Sequence, residues 1–297
     1  MKPKTAKIQL SDHFSYRRLI HFTWPSMMMM LITSVYGVVD GVMVANFAGT
    51  TPFAALNLIW PAIAILGSIG FMIGTGGSAL VAKTLGEGCD EKARDLFSLI
   101  TYSTIAISVL LGISGLIVVR DIAIMLGAQG KMIEHCVTYG SILLYALPAY
   151  ACQAYFQSLL VAAEKPQMGM WVTVGAGIAN VVLDLLFIGV WKWGLAGAAW
   201  ATAISQFIGG GVPLAYFIAK RNSSMALRLG RCHIDIKAFV KVCSNGISEF
   251  VMNISLSFVS MLYMYILLKA VGENGVAAYG IMMYFAFTFV ALFLGFG

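Results

Sequence analysis

Along this chain, apolar runs of about twenty residues or more alternate with short bands that hold most of the charges. Runs of that length predict membrane-spanning helices rather than strands or core segments of a soluble fold. Eight are read, over 17–47, 53–83, 93–119, 132–163, 168–191, 195–219, 236–269 and 275–297. The links 48–52, 192–194 and 270–274 are minimal and built of turn residues. The fold class is therefore all-α, a polytopic membrane protein.

Composition removes the alternatives. Only 11% of the 297 residues are charged and 60% are hydrophobic. A soluble domain carries about 25% charge, so a wetted globular surface is excluded, as are disorder and a collagen-like repeat. Five cysteines, odd in number and without CxxC or Cys/His spacing, exclude a disulfide scaffold and give no metal site. The net charge of +6 sits beside the apolar runs, where it reports orientation and not nucleic acid. Fifteen of the 19 Lys/Arg fall in the N-terminal tail and on the same side as it; Arg120, Lys131, Lys192 and Lys269 fall on the other. The bias predicts a cytoplasmic N-terminus.

A basic stretch, Lys220 to Lys241, divides the chain. Gly49-Thr-Thr-Pro-Phe-Ala-Ala-Leu56 after the first helix is echoed, 223 residues on, by Gly272-Glu-Asn-Gly-Val-Ala-Ala-Tyr279 after the seventh. An even number of helices lies between, so the copies have the same orientation, as in transporters built from parallel repeats. The organisation expected is a cytoplasmic tail 1–16, a six-helix amino-terminal lobe 17–219, an inter-lobe linker 220–235, and 236–297 as the first two helices of a second, repeated lobe.

Three of the 13 acidic residues lie inside predicted spans: Asp40, Asp184 and Glu249. A carboxylate near the bilayer centre costs about 2.5–3.5 kcal/mol, which makes it a functional candidate. Thr33, Tyr36 and Gly37 share a helix face with Asp40, and Asn180 precedes Asp184 by one turn. Two carboxylates and an amide offer oxygen ligands to a hard cation, or hold and release a proton. Tyr139, Tyr150, Gln153 and Gln157 form one stripe on the fourth helix. Thr202 and Gln206 lie on the sixth, and Glu249, Asn253, Ser257 and Ser260 on the seventh. Gln206, Ser257 and Ser260 read as helix-to-helix glue, and so do the glycines 67, 70, 74 and 77. Pro25 removes a backbone donor from the first helix and permits a bend.

These residues and their order resemble the multidrug and toxic compound extrusion (MATE) family. The resemblance is carried by Thr23-Trp-Pro25-Ser, Tyr36-Gly-Val-Val-Asp40, Asn46-Phe-Ala-Gly-Thr50, Gly74-Thr-Gly-Gly-Ser-Ala79, Gly194-Leu-Ala-Gly-Ala-Ala-Trp-Ala-Thr202 and Gly246-Ile-Ser-Glu249. It implies two six-helix lobes around a central cavity that exports organic cations and drugs against H⁺ or Na⁺. On that resemblance Asp40, Asn180, Asp184, Tyr139 and Thr202 form the cation-coupling set, Pro25 is the helix-one hinge, and Glu249 is the acid of the second lobe. Tyr36, Tyr150, Gln153, Gln157 and Asn253 are cavity candidates.

The family fold takes twelve helices where this chain reads as eight, so the expectation is an incomplete second lobe that binds a cation without transporting. The function expected of the family is secondary efflux of apolar or cationic small molecules, with H⁺ or Na⁺ as coupling ion and no other cofactor. A monomer in the plasma membrane, with the lipid bilayer and not nucleic acid as partner, completes the expectation. The alternative is a flippase for lipid-linked sugars of the same superfamily, which would favour Arg or Lys in the cavity to hold pyrophosphate. No such residue lies mid-span. An enzyme would need a nucleophile–base or metal set, and none is read.

Overall fold

The structure, a computed structural model, describes residues 16–163, 165–219, 227–230 and 235–296. These hold nine α-helices: α1 (Tyr16–Phe47), α2 (Thr50–Gly86), α3 (Asp90–Met125), α4 (Lys131–Tyr145), α5 (Leu147–Ala162), α6 (Pro166–Asp184), α7 (Gly194–Ala219), α8 (Ile236–Val271) and α9 (Glu273–Phe296). No strand occurs among the described residues. Among the described residues, six helices are long and apolar enough to cross a membrane: α1 from Met27, α2, α3, α6 with its extension to Val190, α7 and α8.

Two predicted spans differ in form. The fourth, 132–163, is two helices. Pro148 has no N–H to give to the Leu144 carbonyl, and its ring crowds that carbonyl, so the helix breaks at Ala146. The apolar pattern runs straight across the break and conceals it. Glycine lets α3 close on the same spot: a Cβ on Gly112 would stand 2.8 Å from the Leu144 oxygen. The fifth span ends not as α-helix but as a wider π-helical turn, Leu185–Val190, directly after Asp184. The expected tail 1–16, apart from Tyr16, and the linker 220–235, apart from 227–230 and Asp235, lie outside the described residues.

α2 is the central post, packed against α3, α4, α5, α8 and α9. Its first half anchors one buried cluster with Val44, Cys136, Tyr139, Leu143 and Ala198. Its second half anchors another with Phe97, Tyr155, Phe156 and Phe217. Leu227 and Leu229 bury into this second cluster, and the Gly230 N–H donates to Ser98 Oγ at 3.0 Å. That short piece is thereby strapped across α3.

α8 crosses α2 at bare backbone. A Cβ on Gly246 would collide with the Met72 carbonyl, and one on Gly76 with that of Val242. α9 lies along α1, where Gly41 meets the side chain of Tyr284 and not backbone. At the ends of these helices, Thr51 Oγ1 donates to the Glu273 carboxylate. Asp235 caps α8 by accepting from the Ala238 N–H at 3.1 Å.

Candidate functional site

The first lobe's acids meet where α1, α4, α6 and α7 converge. Asp40 on α1 is 8% exposed, and Asn180 and Asp184 on α6 are wholly buried. α1 reaches α6 closely because Gly177 presents no side chain; its Cβ would stand 3.1 Å from the Tyr36 ring. Asp40 and Asp184 lie within electrostatic reach of each other. Tyr139 of α4 is faced by Asp40, Asp184 and Thr202 of α7. Tyr36 interacts with Asp40, Thr33 and Gln153, and Tyr150 with Tyr36. Thus Asp40, Asp184, Tyr139, Thr202, Tyr36, Tyr150 and Gln153 are brought into one group, with Asn180 buried one turn before Asp184 on α6.

The polar accounting at this place is unusual. Buried polar groups in folded proteins are nearly always hydrogen-bonded. Here Asp40 Oδ1, both side-chain heteroatoms of Asn180, both carboxyl oxygens of Asp184, Thr202 Oγ1 and Gln206 Oε1 are buried without a partner. Arg94 Nε is the one other such atom among the described residues. None of the ion pairs among those residues involves Asp40 or Asp184. Oxygen atoms of this kind, held without a counter-charge, suit a proton or a small hard cation. No group of three His, Cys, Asp or Glu gathers for a transition metal among the described residues.

Space is available beside the group. Gly37, one turn before Asp40, has no heavy atom within 4 Å of where its Cβ would stand. The π-helical turn follows Asp184 at once, with the Trp191 N–H reaching back five residues to the Leu186 carbonyl at 2.8 Å. Such turns occur often at functional sites.

The remaining candidates are elsewhere or held otherwise. Glu249 and Asn253 ride on α8, which packs on α2, α9 and α3 and not on the helices of the aspartates. Asn253 donates to its own helix, at the Glu249 carbonyl, 2.8 Å away. Gln157 is half-buried on α5. α1 runs through Pro25 as helix; the proline ring is outside the described side chains. Tyr150 packs on Trp60 and Phe71, with ring centroids 6.0 and 6.3 Å apart.

Two residues escaped the sequence reading. Gln206 reads as glue, yet it is buried with its Oε1 unpaired one turn beyond Thr202. The signal available was its spacing of four from Thr202. Tyr284 arrives from α9 and interacts with Asp40 and Tyr139. It lies 244 residues from Asp40 in an apolar run, and nothing in the local pattern points to it.

The MatE family model matches residues 25–186, more than half of the chain. The multidrug export protein MepA of Staphylococcus saprophyticus is 23% identical over 266 residues, covering 90% of this chain and 58% of that protein. A solved structure described as the inward-facing conformation of a multidrug resistance MATE family transporter of the MOP superfamily superposes with a TM-score of 0.82 at 21% identity. It covers 94% of this chain and 63% of its own. The outward-facing conformation gives the same TM-score of 0.82, covering 94% and 61%. The likeness therefore shows the fold and does not choose between conformations. The chain spans about 58% of the length of the curated relatives it matches.

Proposed function

Because the chain belongs to the MATE family, whose members are membrane transporters and not enzymes, we propose that it serves secondary efflux of drugs or organic cations in exchange for H⁺ or Na⁺. The observation that carries this reading is the buried group of unpaired oxygens on Asp40, Asn180, Asp184 and Thr202. Two carboxylates so placed are costly while both are charged. Loading a proton or sodium relieves that cost and changes how α1 and α6 attract or repel each other. α1 is the element that moves in this scheme, bending in the region of Pro25, while α2 stays as the post. Tyr139 and Thr202 supply further oxygens, and Tyr36, Tyr150 and Gln153 border the path beside Gly37. Glu249 serves the second lobe.

The lobe 17–219, the linker 220–235 and the second-lobe segment 236–297 are the units that rock against each other. The N-terminus faces the cytoplasm by the bias of Lys and Arg, and the membrane is the plasma membrane. The working unit is a monomer handling small apolar or cationic molecules.

Expressed from its complete reading frame in a drug-sensitive host, the wild type is expected to drive dye efflux under an imposed H⁺ or Na⁺ gradient. Asp40→Asn and Asp184→Asn are expected to lose it. Normal efflux by both variants would sink the coupling site.

A further inference from the structure

The acid group of the first repeat is not built by the first repeat alone. Tyr284 of α9 packs against α1 at Gly41, the residue after Asp40. A Cβ on Gly41 would stand 2.6 Å from its ring and 2.7 Å from its hydroxyl. Only glycine leaves room for that approach. The ring is backed by Phe53 of α2, with centroids 6.3 Å apart, and the phenol interacts electrostatically with both Asp40 and Tyr139.

Nearby, α9 is registered on α1 by a second contact. Ser34 and Thr288 hydroxyls are 3.0 Å apart. The single Thr288 proton is donated to the Tyr284 carbonyl at 2.9 Å, so Ser34 donates to Thr288. The same helix segment thus touches α1 at a fixed register and seats one phenol at Gly41, the residue after Asp40.

We propose that Tyr284 is a positioning residue for Asp40, so that the cation site on α1 is completed by a helix of the second repeat. The proposal rests on the reading of Asp40 and Asp184 as the coupling pair. A phenol fits the task because it donates to an ionised carboxylate and accepts from a protonated one. Tyr284 makes no hydrogen bond to Asp40 in this structure, its hydroxyl lying over Gly41, the next residue; the proposed bond is one made as the acid loads and unloads, and the seating of α9 follows it. The titratable groups facing Asp40 are Tyr36 on its own helix, Tyr139 on α4, Asp184 on α6 and Tyr284 on α9. Tyr284 is the one of these that belongs to the other repeat.

The test compares wild type, Tyr284→Phe, Gly41→Ala and Asp40→Asn, each expressed from the complete reading frame and reconstituted in vesicles. Efflux is titrated against Na⁺ at fixed pH and against pH at fixed Na⁺, and the cation-induced rise in melting temperature is measured in detergent. Tyr284→Phe keeps the ring packing and removes only the hydroxyl. It is expected to raise the KM for the coupling ion about tenfold, the scale of the hydrogen bond to a charged group that the proposal assigns to the loading step. The drug KM and the ion-free melting temperature stay unchanged, and the cation-induced shift shrinks. Gly41→Ala pushes the phenol away without deleting it and is expected to move the ion KM the same way.

An unchanged ion KM in Tyr284→Phe, with efflux lost in Asp40→Asn, overturns the role of Tyr284 and leaves the acid pair standing. A fall in kcat alone overturns it too, since that is what a merely structural ring would give. Unchanged ion dependence in both variants, or a wild type that answers to neither ion, removes the acid site and this proposal with it.

Discussion

At the corner between α1 and α2, Gly49 adopts φ 101°, ψ 178°; 223 residues later, at the corner between α8 and α9, Gly272 adopts φ 80°, ψ −161°. Both lie in a region open essentially to glycine alone. The partners correspond as well. α2 lies on α8 and α1 on α9, which exchange into each other when the two hairpins are swapped. Asn57 of α2 and its counterpart Gly280 of α9 meet at the crossing, where a Cβ on Gly280 would stand 2.6 Å from the amide. Equivalent residues in contact place a local two-fold relation there.

The chemistry does not correspond. Counting 223 onward from Asp40 arrives at Tyr263, an exposed ring stacked on Tyr279 at 5.7 Å. Tyr284 in turn stands opposite Pro61. One scaffold is used twice, and at this position the acid is installed once, since Glu249 of α8 stands at a different place in its hairpin.

The largest effect should come from breaking that asymmetry. Asp40→Asn is expected to reduce ion-driven efflux by at least about tenfold, the weight of a charge-assisted contact. Tyr263→Phe, at the matching place, should stay within about twofold, because its ring is exposed and its hydroxyl faces no buried acid. Equal losses in a dye-efflux assay would mean that both hairpins carry coupling chemistry.

Next in size is the helix crossing itself. Gly246→Val drives a side chain into the Met72 carbonyl. Overpacking against backbone is expected to destabilise by about 1–3 kcal/mol, read as a lower melting temperature in detergent. Gly37→Ala on α1 meets nothing within 4 Å and should be neutral or stabilising by up to about 1 kcal/mol, the helix preference of alanine over glycine. A fall as large as that of Gly246→Val would show that the open space beside Asp40 is closed in solution.

The two corners allow a more even comparison. Gly49→Ala and Gly272→Ala each force a Cβ into a conformation that costs about 1–3 kcal/mol. If the hairpins are equivalent, the two melting temperatures should fall alike. A clear inequality would place the strain in one corner only.

How much of this was legible in the sequence follows from what each feature depends on. Spans are set by apolar length, and α2, α7 and α8 begin and end within a few residues of the apolar runs. The echo at Gly49 and Gly272 was readable because backbone conformation there demands glycine. Asp40, Asn180 and Asp184 were readable because burying them is expensive. The break before Pro148 and the π-helical turn after Asp184 were hidden, since neither alters hydrophobicity. Tyr284 was hidden for another reason: its importance comes from packing across 244 residues of chain, and a tyrosine in an apolar helix is cheap wherever it points. Glu249 stood out by cost, yet α8 holds it away from the aspartates.

The smallest effect tests whether the hairpins are joined in the same way. Ser34 meets Thr288 across α1 and α9, while the residues that correspond to them by the offset of 223 are Ser257 and Ile65, of which Ile65 offers no hydroxyl. A double-mutant cycle of Ser34→Ala and Thr288→Val should give a coupling of about 0.6 kcal/mol, the average for hydrogen bonds between helices in a membrane. Ser257→Ala combined with Ile65→Val should give none beyond about 0.3–0.5 kcal/mol, the spread of independent sites. The comparison is informative although the energy is small. Coupling at Ser34 alone would show that the repeat holding the acid is also the one registered by hydroxyls, which is what an ion site completed from α9 requires. Coupling at both pairs would mean that registration is general to the scaffold and owes nothing to the acid.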